Sequence, residues 1–284
     1  MQLIRFDSAA AFAERVTDFL QAREAEHNLI LGLTTTLLTT NEYKLPPYLA
    51  CVEKDGAMIA VAFRTPPHNL ILSEIPEDHA VLDLITQDVY LLYGESLPGV
   101  SGPKTISQAF AEHWTTLTRK SSHLHMAQRI YRLDKVNAPE NIPGTFRRAT
   151  RNDRDLLVAW LGAFHQEAMG EVNQEQAERS VENFLTSNTR GLYLWEDNGQ
   201  PVSMAGSTGP TPHGIRIGAV YTPPEFRKRG YASACVAALS QVLLDSGRKF
   251  CFLYTDLSNP TSNHIYQDIG YRPVSDVDEY HFGE

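Results

Sequence analysis

Cysteine and long apolar runs are scarce in this sequence. Its 284 residues include three cysteines, Cys51, Cys235 and Cys251, which lie far apart and lack the spacing of metal ligands. An odd number of isolated cysteines favours a reducing compartment over a disulfide framework. No run approaches the roughly 20 apolar residues of a membrane-crossing helix, and acidic residues interrupt the first helical stretch, unlike the apolar core of a signal peptide. We therefore expect a cytoplasmic chain without metal or membrane partner.

Basic charge is also in deficit. The chain has 25 Lys and Arg residues against 34 Asp and Glu, a formal net charge of −9. A nucleic-acid binder needs a basic face to neutralise phosphates, so the composition argues against that class. The same charge is compatible with a cationic substrate such as an amine. A hydrophobic content of 42% is typical of globular proteins, and the length allows two domains of ordinary size.

Two stretches of the sequence follow the same order of features. One begins YLACVEKDG and the other LYLWEDNG, and each has an apolar strand, an acidic turn with glycine, a second strand, a Pro-His pair and a third apolar run. The turn glycines Gly56 and Gly199 differ by 143 positions (199 − 56), and Pro67 and Pro212 differ by 145 (212 − 67). The offset slips by only two residues, which indicates a structural duplication.

Helical and extended patterns surround both copies in similar order. The predicted helices are residues 9–26, 80–92, 106–120, 153–169, 231–246 and 260–269. The predicted strands outside the repeat are residues 126–133, residues 249–256 and a final extended piece. A Pro- and Asn-rich stretch without periodicity separates the halves. These patterns predict two α+β domains of one plan, residues 1–135 and 145–284, joined by a linker at 136–144.

A strand-to-helix junction in the second half has the features of an anion site. RKRGYA, residues 227–232, leads from a strand into an amphipathic helix. Gly230 lacks a β-carbon and lets the backbone approach a ligand closely. The amides at the helix start lie at the positive end of its dipole, which suits a pyrophosphate, and three cations add favourable charge. The alternative is an ordinary basic surface turn before a helix.

The pattern Arg-x-x-Gly-x-Ala in this position resembles the acetyl-CoA signature of the GNAT superfamily. The patterns GxxxxGK and GxGxxG are missing at the junction, so a nucleotide-binding α/β protein has less support. A second match lies in LYTDLSNPTSNHIYQDIGYRPV, where Asn259 precedes a helix that Gly270 ends. The resemblance covers residues 145–282, and the phrase VYTPPEFRKRGYAS resembles a bacterial subgroup of two-domain acetyltransferases.

The resemblance implies tandem GNAT-like domains, each a central mixed, mostly antiparallel sheet flanked by helices. It implies acetyl-CoA as cosubstrate, with no metal, and an N-acetyltransferase acting on a small-molecule or peptide amine by direct transfer in a ternary complex. It makes Tyr266 the general acid, because a phenol with a pKa near 10 can donate to a departing thiolate. The alternative is that Tyr266 only packs. The cofactor-binding residues that it implies are Val220, Tyr221, Arg227, Lys228, Arg229, Gly230, Tyr231, Ala232, Asn259 and Asn263.

The general base is less well defined. An amine with a pKa near 10 must lose a proton before it attacks. Three carboxylates are candidates, with Glu167 preferred over Glu171 and Asp256. The alternative roles are solvated helix-end charges for the two glutamates and a turn residue for Asp256. Cys251 alternates with two phenylalanines in a buried-looking strand, so we expect a core residue rather than a nucleophile.

The first half lacks the anion site. Carrying the offset forward places the equivalent junction at Glu77-Asp78-His79-Ala80, which has no glycine and has two carboxylates instead of three cations. Like charge disfavours a pyrophosphate there. We therefore expect a degenerate N-terminal domain without a CoA site. A CoA-binding sensor or structural protein that has lost turnover is the alternative to the enzyme.

Overall fold

The computed structural model describes residues 1–40, 43–76, 78–170 and 173–283, apart from the side chains of residues 169 and 260–262. The chain forms two compact units. Unit 1 comprises Met1–Ile130, Thr255–Asn259 and Pro273–Glu284, and unit 2 comprises Tyr131–Tyr254 and Pro260–Arg272. None of the helices in the described ranges is long and apolar enough to cross a membrane.

Helices and strands alternate along the whole chain. The strands are β1 (Gln2–Arg5), β2 (Tyr48–Lys54), β3 (Ala57–Arg64), β4 (Leu70–Leu72), β5 (Gly99–Pro103), β6 (Ser121–Leu133), β7 (Thr145–Arg148), β8 (Gly191–Asp197), β9 (Gln200–Thr208), β10 (Gly214–Tyr221), β11 (Phe250–Asp256) and β12 (Arg272–Gly283). The helices are α1 (Ala9–Gln21), α2 (Asn28–Thr39), α3 (His79–Tyr93), α4 (Lys104–Thr118), α5 (Arg154–Met169), α6 (Gln174–Thr186), α7 (Tyr231–Asp245) and α8 (Pro260–Ile269).

Unit 1 is built on the strand order β1-β2-β3-β4-β5-β12-β6. The strands β1 to β4 pair antiparallel, β4 pairs parallel with β5, and β5 pairs antiparallel with β12. Side chains alternate across this sheet as the pleat requires. Leu49 and Cys51 of β2 pack with α1 and α2, whereas Ala50 and Val52 pack with α3 and α4. The core of unit 1 therefore has two layers of helix around one mixed sheet.

Unit 2 repeats that plan with the strand order β11-β10-β9-β8-β7. All its neighbouring strands pair antiparallel except β10 and β11, which pair parallel. Leu192 and Leu194 of β8 pack with α5 and α6, whereas Tyr193 and Trp195 pack against the cluster that contains α7 and part of α8. The predicted fold class, two α+β domains with mixed and mostly antiparallel sheets, is confirmed.

The two hairpins of the sequence repeat have the same turn geometry. Asp55 and Gly56 have φ of 53° and 80°, and Asn198 and Gly199 have φ of 51° and 77°. Two consecutive residues with positive φ are typical of type I′ turns, whose twist suits a hairpin. Each hairpin also has a β-bulge at the same place in its second strand, at Ile59 opposite Val52 and Glu53 in one and at Val202 opposite Trp195 and Glu196 in the other.

Several elements differ from the sequence prediction. The helix predicted over residues 9–26 ends at Gln21, and α2, β5 and α6 were not predicted. In α2, β-branched threonines lower the intrinsic helix propensity, but the hydroxyls of Thr34 and Thr35 donate to carbonyls four residues earlier. In α6 the apolar content is low, and Asn173 caps the helix by accepting the Gln176 N–H at 2.9 Å.

The C-terminal strand and the predicted linker are assigned to the two units differently from the sequence prediction. The final extended piece is the strand β12, most of which belongs to unit 1, where Val277 is paired with Pro103 and His281 with Gly99. The predicted linker belongs to unit 2 and is hydrogen-bonded there, since the Asn137 N–H donates to the Ile269 carbonyl at 2.7 Å. Pairing with distant strands, rather than local composition, sets these assignments.

Candidate functional site

Strand β10 of unit 2 changes direction about halfway along its length. Its parallel pairing with β11 covers Gly214–Arg216 in the described chain, although β10 continues to Tyr221. A β-bulge interrupts the register with β9 between Gly218 and Tyr221, and Ala219 has φ of 48°. After the bulge, Val220 faces the cluster beside α7 that Ile217 faced before it. A bulge re-aims a strand and disrupts its ladder, so residues 217–221 present main-chain groups that have no β11 partner among the described residues.

The turn that follows β10 ends in an open helix start. Gly230 precedes α7 with φ of 81°, and in the described chain no side chain caps this helix. The first N–H groups of a helix have no partners within the helix, and they lie at the positive end of its dipole. A β-carbon on Gly230 would overlap the end of the Ile142 side chain. The junction therefore has an open helix start of the kind that RKRGYA predicted, and the anion site at these main-chain amides stays a prediction.

The side chains of this turn have different surroundings. Lys228 and Arg229 are exposed. Tyr231 is buried, and its hydroxyl donates to the Asp197 carboxylate at 2.6 Å. The Tyr231 side chain therefore anchors α7 to the end of β8. The main-chain N–H of Tyr231 is then the group that can face a ligand. No local signal in the sequence indicated Asp197 as the partner.

Glu167 lies against the same turn. Both of its carboxylate oxygens accept from Nη2 of Arg227, at 2.7 and 2.9 Å, and Nε of Arg227 donates to the Thr222 carbonyl at 2.8 Å. Tyr221 lies beside this ion pair, with the guanidinium 5.8 Å from its ring centroid. Burial and then the Glu167 charge raise the pKa of Tyr221. The structure thus brings the predicted base together with a predicted cofactor residue, in an ion pair that the sequence did not indicate.

Tyr266 packs beside the bulged strand. Its ring lies edge-to-face with Tyr271 at 6.0 Å and joins the buried cluster against which Val220 also packs. Burial raises the pKa of Tyr266 to about 12. Among the described residues its hydroxyl has no hydrogen-bond partner. The phenol therefore stays protonated at neutral pH and keeps its proton available to a ligand.

The predicted asparagines have structural partners. The Tyr131 hydroxyl donates to Oδ1 of Asn263 and accepts from Nε2 of Gln267, both at 3.1 Å. The Asn259 N–H donates to the Asp256 carbonyl at 3.1 Å, and the Asp256 carboxylate accepts the Ser258 N–H at 2.7 Å. These bonds match the turn role considered for Asp256. Tyr131, from β6, lacked a sequence signal.

Two further candidates can be placed. Cys251 is fully buried, and burial raises the pKa of its thiol to about 12, so the prediction of a core residue is confirmed. Glu171, the other carboxylate considered as a base, lies outside the described residues.

The equivalent helix start in unit 1 is closed by a side chain. Asp78 caps α3 by accepting the Ala80 N–H at 3.1 Å, and it also accepts from Lys54 at 3.1 Å. The Lys54 hydrogen bond and the Ala80 amide lower the pKa of Asp78. A carboxylate of the protein therefore occupies the position where an anionic ligand would bind α3. Glu77, the other carboxylate of that junction, lies outside the described residues.

Comparison with known proteins agrees with this geometry. Residues 155–271 match the sequence model of the Acetyltransferase (GNAT) family. Similar solved structures include a GCN5-related N-acetyltransferase from Sphaerobacter thermophilus, at 16% identity over 98% of this chain and 95% of that chain with a TM-score of 0.65. A GCN5-related N-acetyltransferase from Kribbella flavida has 15% identity over 79% of this chain and 87% of that chain, with a TM-score of 0.60.

A third similar structure is a tandem GNAT protein from the clavulanic acid biosynthesis pathway, at 12% identity over 100% of this chain and 98% of that chain with a TM-score of 0.61. At such identities the likeness concerns the fold alone. No curated protein matches the chain. The C-terminal half of the chain is thus similar to the GNAT acetyltransferase family, and the fold of the whole chain is similar to that of a tandem GNAT protein.

Proposed function

We propose that the chain is an N-acetyltransferase that uses acetyl-CoA and acylates an amine by direct attack within a ternary complex. The observation that carries this proposal is the open start of α7 at Gly230, which follows strand β10. A β-bulge interrupts the hydrogen-bonding register of that strand. Both features belong to unit 2, and a short turn that includes Pro224–Phe226 separates them in the chain. The bulged strand and the helix start together fit a long ligand with a pyrophosphate at one end.

Main-chain groups would hold the cosubstrate. Amides from residues 227–232 face the pyrophosphate, and the exposed Lys228 and Arg229 add positive charge at the mouth of the helix. The main chain of Val220 and Tyr221 holds the pantetheine arm, with Asn263 as a further contact. Binding through amides explains why the Tyr231 ring can be committed to Asp197.

Tyr266 is the proposed general acid. Acetyl-CoA supplies a thioester whose leaving group is a thiolate with a conjugate acid pKa of about 8.5. Tyr266 remains protonated because burial raises its pKa to about 12. Its proton becomes easy to transfer only as negative charge develops on sulfur, so the hydroxyl favours the transition state over the ground state.

Glu167 is the proposed acceptor of the amine proton. The ion pair with Arg227 fixes the position of the Glu167 carboxylate beside Tyr221. The same ion pair competes with the amine for the carboxylate, which favours an acceptor that arrives partly neutral. This competition is also the observation that favours the alternative function, a CoA-binding protein with little or no turnover.

A ligand screen followed by a rate assay tests the proposal. Isothermal titration calorimetry with acetyl-CoA, ATP and NAD should show binding of acetyl-CoA alone. Release of free thiol should then be followed across polyamines, amino acids, aminoglycosides and peptide N-termini. Thiol release that depends on one amine class supports the enzyme. Tight acetyl-CoA binding without release for any amine supports the sensor, and binding of ATP or NAD instead contradicts both.

A further inference from the structure

Two neighbouring strands of unit 1 place four metal-binding side chains together. β6 carries His123 and His125, and β12 carries Glu279 and His281. Residues two apart in a strand point to the same face of a sheet, and β6 and β12 are adjacent in the strand order of unit 1. The His125 and His281 rings stack at 3.9 Å, and the His123 ring meets His281 edge-on at 5.9 Å. All four side chains therefore share one patch of the sheet.

The donor atoms already lie close together. One ligand atom from each of His125, Glu279 and His281 can be chosen so that all three lie within 4.8 Å of one another. Nε2 of His281 is 2.7 Å from Oε1 of Glu279. His125 is exposed and the other two side chains are half-buried, so an ion can reach the patch from solvent.

A neighbouring amide orients the carboxylate. Nδ2 of Asn69 donates to Oε1 of Glu279 at 2.9 Å. Gly99 lies opposite His281 in the register of β5 and β12, and a β-carbon there would lie 2.8 Å from Oδ1 of Asn69. Gly99 thus leaves room for Asn69. A ligand carboxylate that is itself hydrogen-bonded is a usual feature of metal sites.

We propose that His125, Glu279 and His281 form a zinc site, with His123 or water as the fourth ligand. Imidazole and carboxylate are ligands that Zn²⁺ accepts, at about 2.0–2.2 Å. Tetrahedral coordination at those distances brings ligand atoms to about 3.3 Å from one another. Rotation of the exposed His125 ring out of its stack with His281 provides this closure. The bound ion links β6 to β12 within unit 1.

The site departs from the sequence prediction that the chain binds no metal. That prediction considered cysteine spacing, and it missed His-x-His at 123–125 and Glu-x-His at 279–281. Each pair becomes informative only when both segments are known to be neighbouring strands, because the pairs are more than 150 residues apart (279 − 125 = 154).

Calorimetry with ZnCl₂ on the untagged, EDTA-treated full chain tests the proposal. We expect one Zn²⁺ per chain and a higher melting temperature in zinc, since a ligand that binds the native state stabilises it. His125→Ala should weaken the affinity at least roughly 100-fold, and Asn69→Ala roughly 10-fold, because outer-shell partners typically contribute 10- to 100-fold. The melting temperature of His125→Ala without zinc should equal that of the wild type, since the side chain is exposed.

His113→Ala is the matched control. His113 belongs to a second histidine pair of unit 1, in which Nε2 lies 3.4 Å from Nδ1 of His79 and Nδ1 lies 2.7 Å from Asp83. Zinc affinity unchanged in His113→Ala and lost in His125→Ala supports the site on β6 and β12. Loss in His113→Ala, an unchanged His125→Ala, or binding only at millimolar zinc would overturn the proposal.

Discussion

At the scale of single residues, the Tyr266 hydroxyl allows the chemical role of this side chain to be tested separately from its packing role. The ring packs against Tyr271 and the buried cluster of unit 2, whereas the oxygen has no partner among the described residues. Tyr266→Phe keeps the ring and removes the proton. We expect the acetyl-transfer rate to fall roughly 10²- to 10⁴-fold, the usual contribution of a general acid, while acetyl-CoA affinity stays within about twofold.

Thiol-release rates at saturating acetyl-CoA and calorimetric binding of acetyl-CoA measure these two quantities. Tyr271→Phe is the control, because it removes the neighbouring hydroxyl, which lies 2.9 Å from Ser240 Oγ inside the core. That variant should lose stability and keep the rate per folded molecule. An unchanged rate in Tyr266→Phe would leave Tyr266 a packing residue.

Glu167 and Arg227 can be separated in the same assay. Glu167→Gln removes the proposed base and leaves Arg227 without its carboxylate partner. We expect a rate loss of roughly 10²-fold or more for an acceptor that is protonated at the assay pH, and a smaller loss at high pH, where the amine is already neutral. Arg227→Gln keeps the carboxylate and removes only the guanidinium that positions it, so we expect a smaller rate loss than in Glu167→Gln. A pH profile of the rate for both variants measures this, and identical profiles in Glu167→Gln and wild type would contradict the role of Glu167.

At the scale of elements, the start of α7 depends on one backbone conformation. Gly230→Ala places a side chain at φ of 81°, a conformation that costs an L-residue about 1–2 kcal/mol. The new β-carbon also displaces Ile142. Because the amide directions of the turn must shift, we expect acetyl-CoA affinity to fall at least roughly tenfold, which corresponds to about 1.4 kcal/mol.

Gly199→Ala provides the comparison for that variant. Gly199 has φ of 77° in the hairpin of the same unit, and a β-carbon there meets nothing within 4 Å. Both variants should lose stability in urea denaturation from the positive φ, with a further loss in Gly230→Ala from the displaced Ile142, while calorimetry shows weaker acetyl-CoA binding for Gly230→Ala alone. Equal affinities would mean that the turn at Gly230 does not hold the ligand.

The first strands of unit 2 are joined by an ion-pair network. Arg147 of β7 donates to Asp153 at 2.7 and 2.8 Å, and its Nε donates to Glu196 of β8 at 2.8 Å. The Arg147 hydrogen bonds, followed by those from Thr150, lower the pKa of Asp153 from 3.8 to about 2. Since this side chain is only 11% exposed, the difference corresponds to about 2 kcal/mol of stability.

The sign of the pH dependence follows from that depressed pKa. The folded state binds the Asp153 proton less tightly than the unfolded state, so the stabilisation is present above pH 3.8 and disappears as the pH falls towards about 2. Urea denaturation should show Asp153→Asn to be less stable than the wild type by about 2 kcal/mol at pH 7, with the gap closing near pH 2. A gap that is constant with pH would exclude the ion pair as its cause.

The sequence predicted elements well where the signal is local. RKRGYA predicted the open helix start because glycine, dipole and charge all lie within six residues. The sequence could not predict α2, because its threonines favour strands. It also could not predict the ion pair of Glu167 with Arg227, which joins residues 60 positions apart. The metal ligands of β6 and β12 were missed for the same reason. Contacts set by tertiary structure have no signature in a short window.

At the scale of the whole molecule, the repeat was the most informative feature of the sequence. Its 143-residue offset predicted two α+β domains of one plan, and the two hairpins of the structure share their turn and bulge positions. The predicted boundaries, 1–135 and 145–284, rest on composition and remain a prediction. Contacts instead assign Pro273–Glu284 to unit 1, because β12 lies between β5 and β6 in the sheet and its pairing with β5 joins residues over 170 positions apart (277 − 103 = 174).

The helix starts of α7 in unit 2 and α3 in unit 1 lead to a prediction of how many acetyl-CoA molecules one chain binds. In unit 2 the start of α7 is open at Gly230, whereas in unit 1 Asp78 already satisfies the Ala80 amide of α3 and adds negative charge. A pyrophosphate would have to displace this carboxylate against electrostatic repulsion. Calorimetry should therefore give one acetyl-CoA per chain, and Gly230→Ala should weaken that single event. A stoichiometry of two, or a second event that persists in Gly230→Ala, would show that the N-terminal half also binds the cosubstrate.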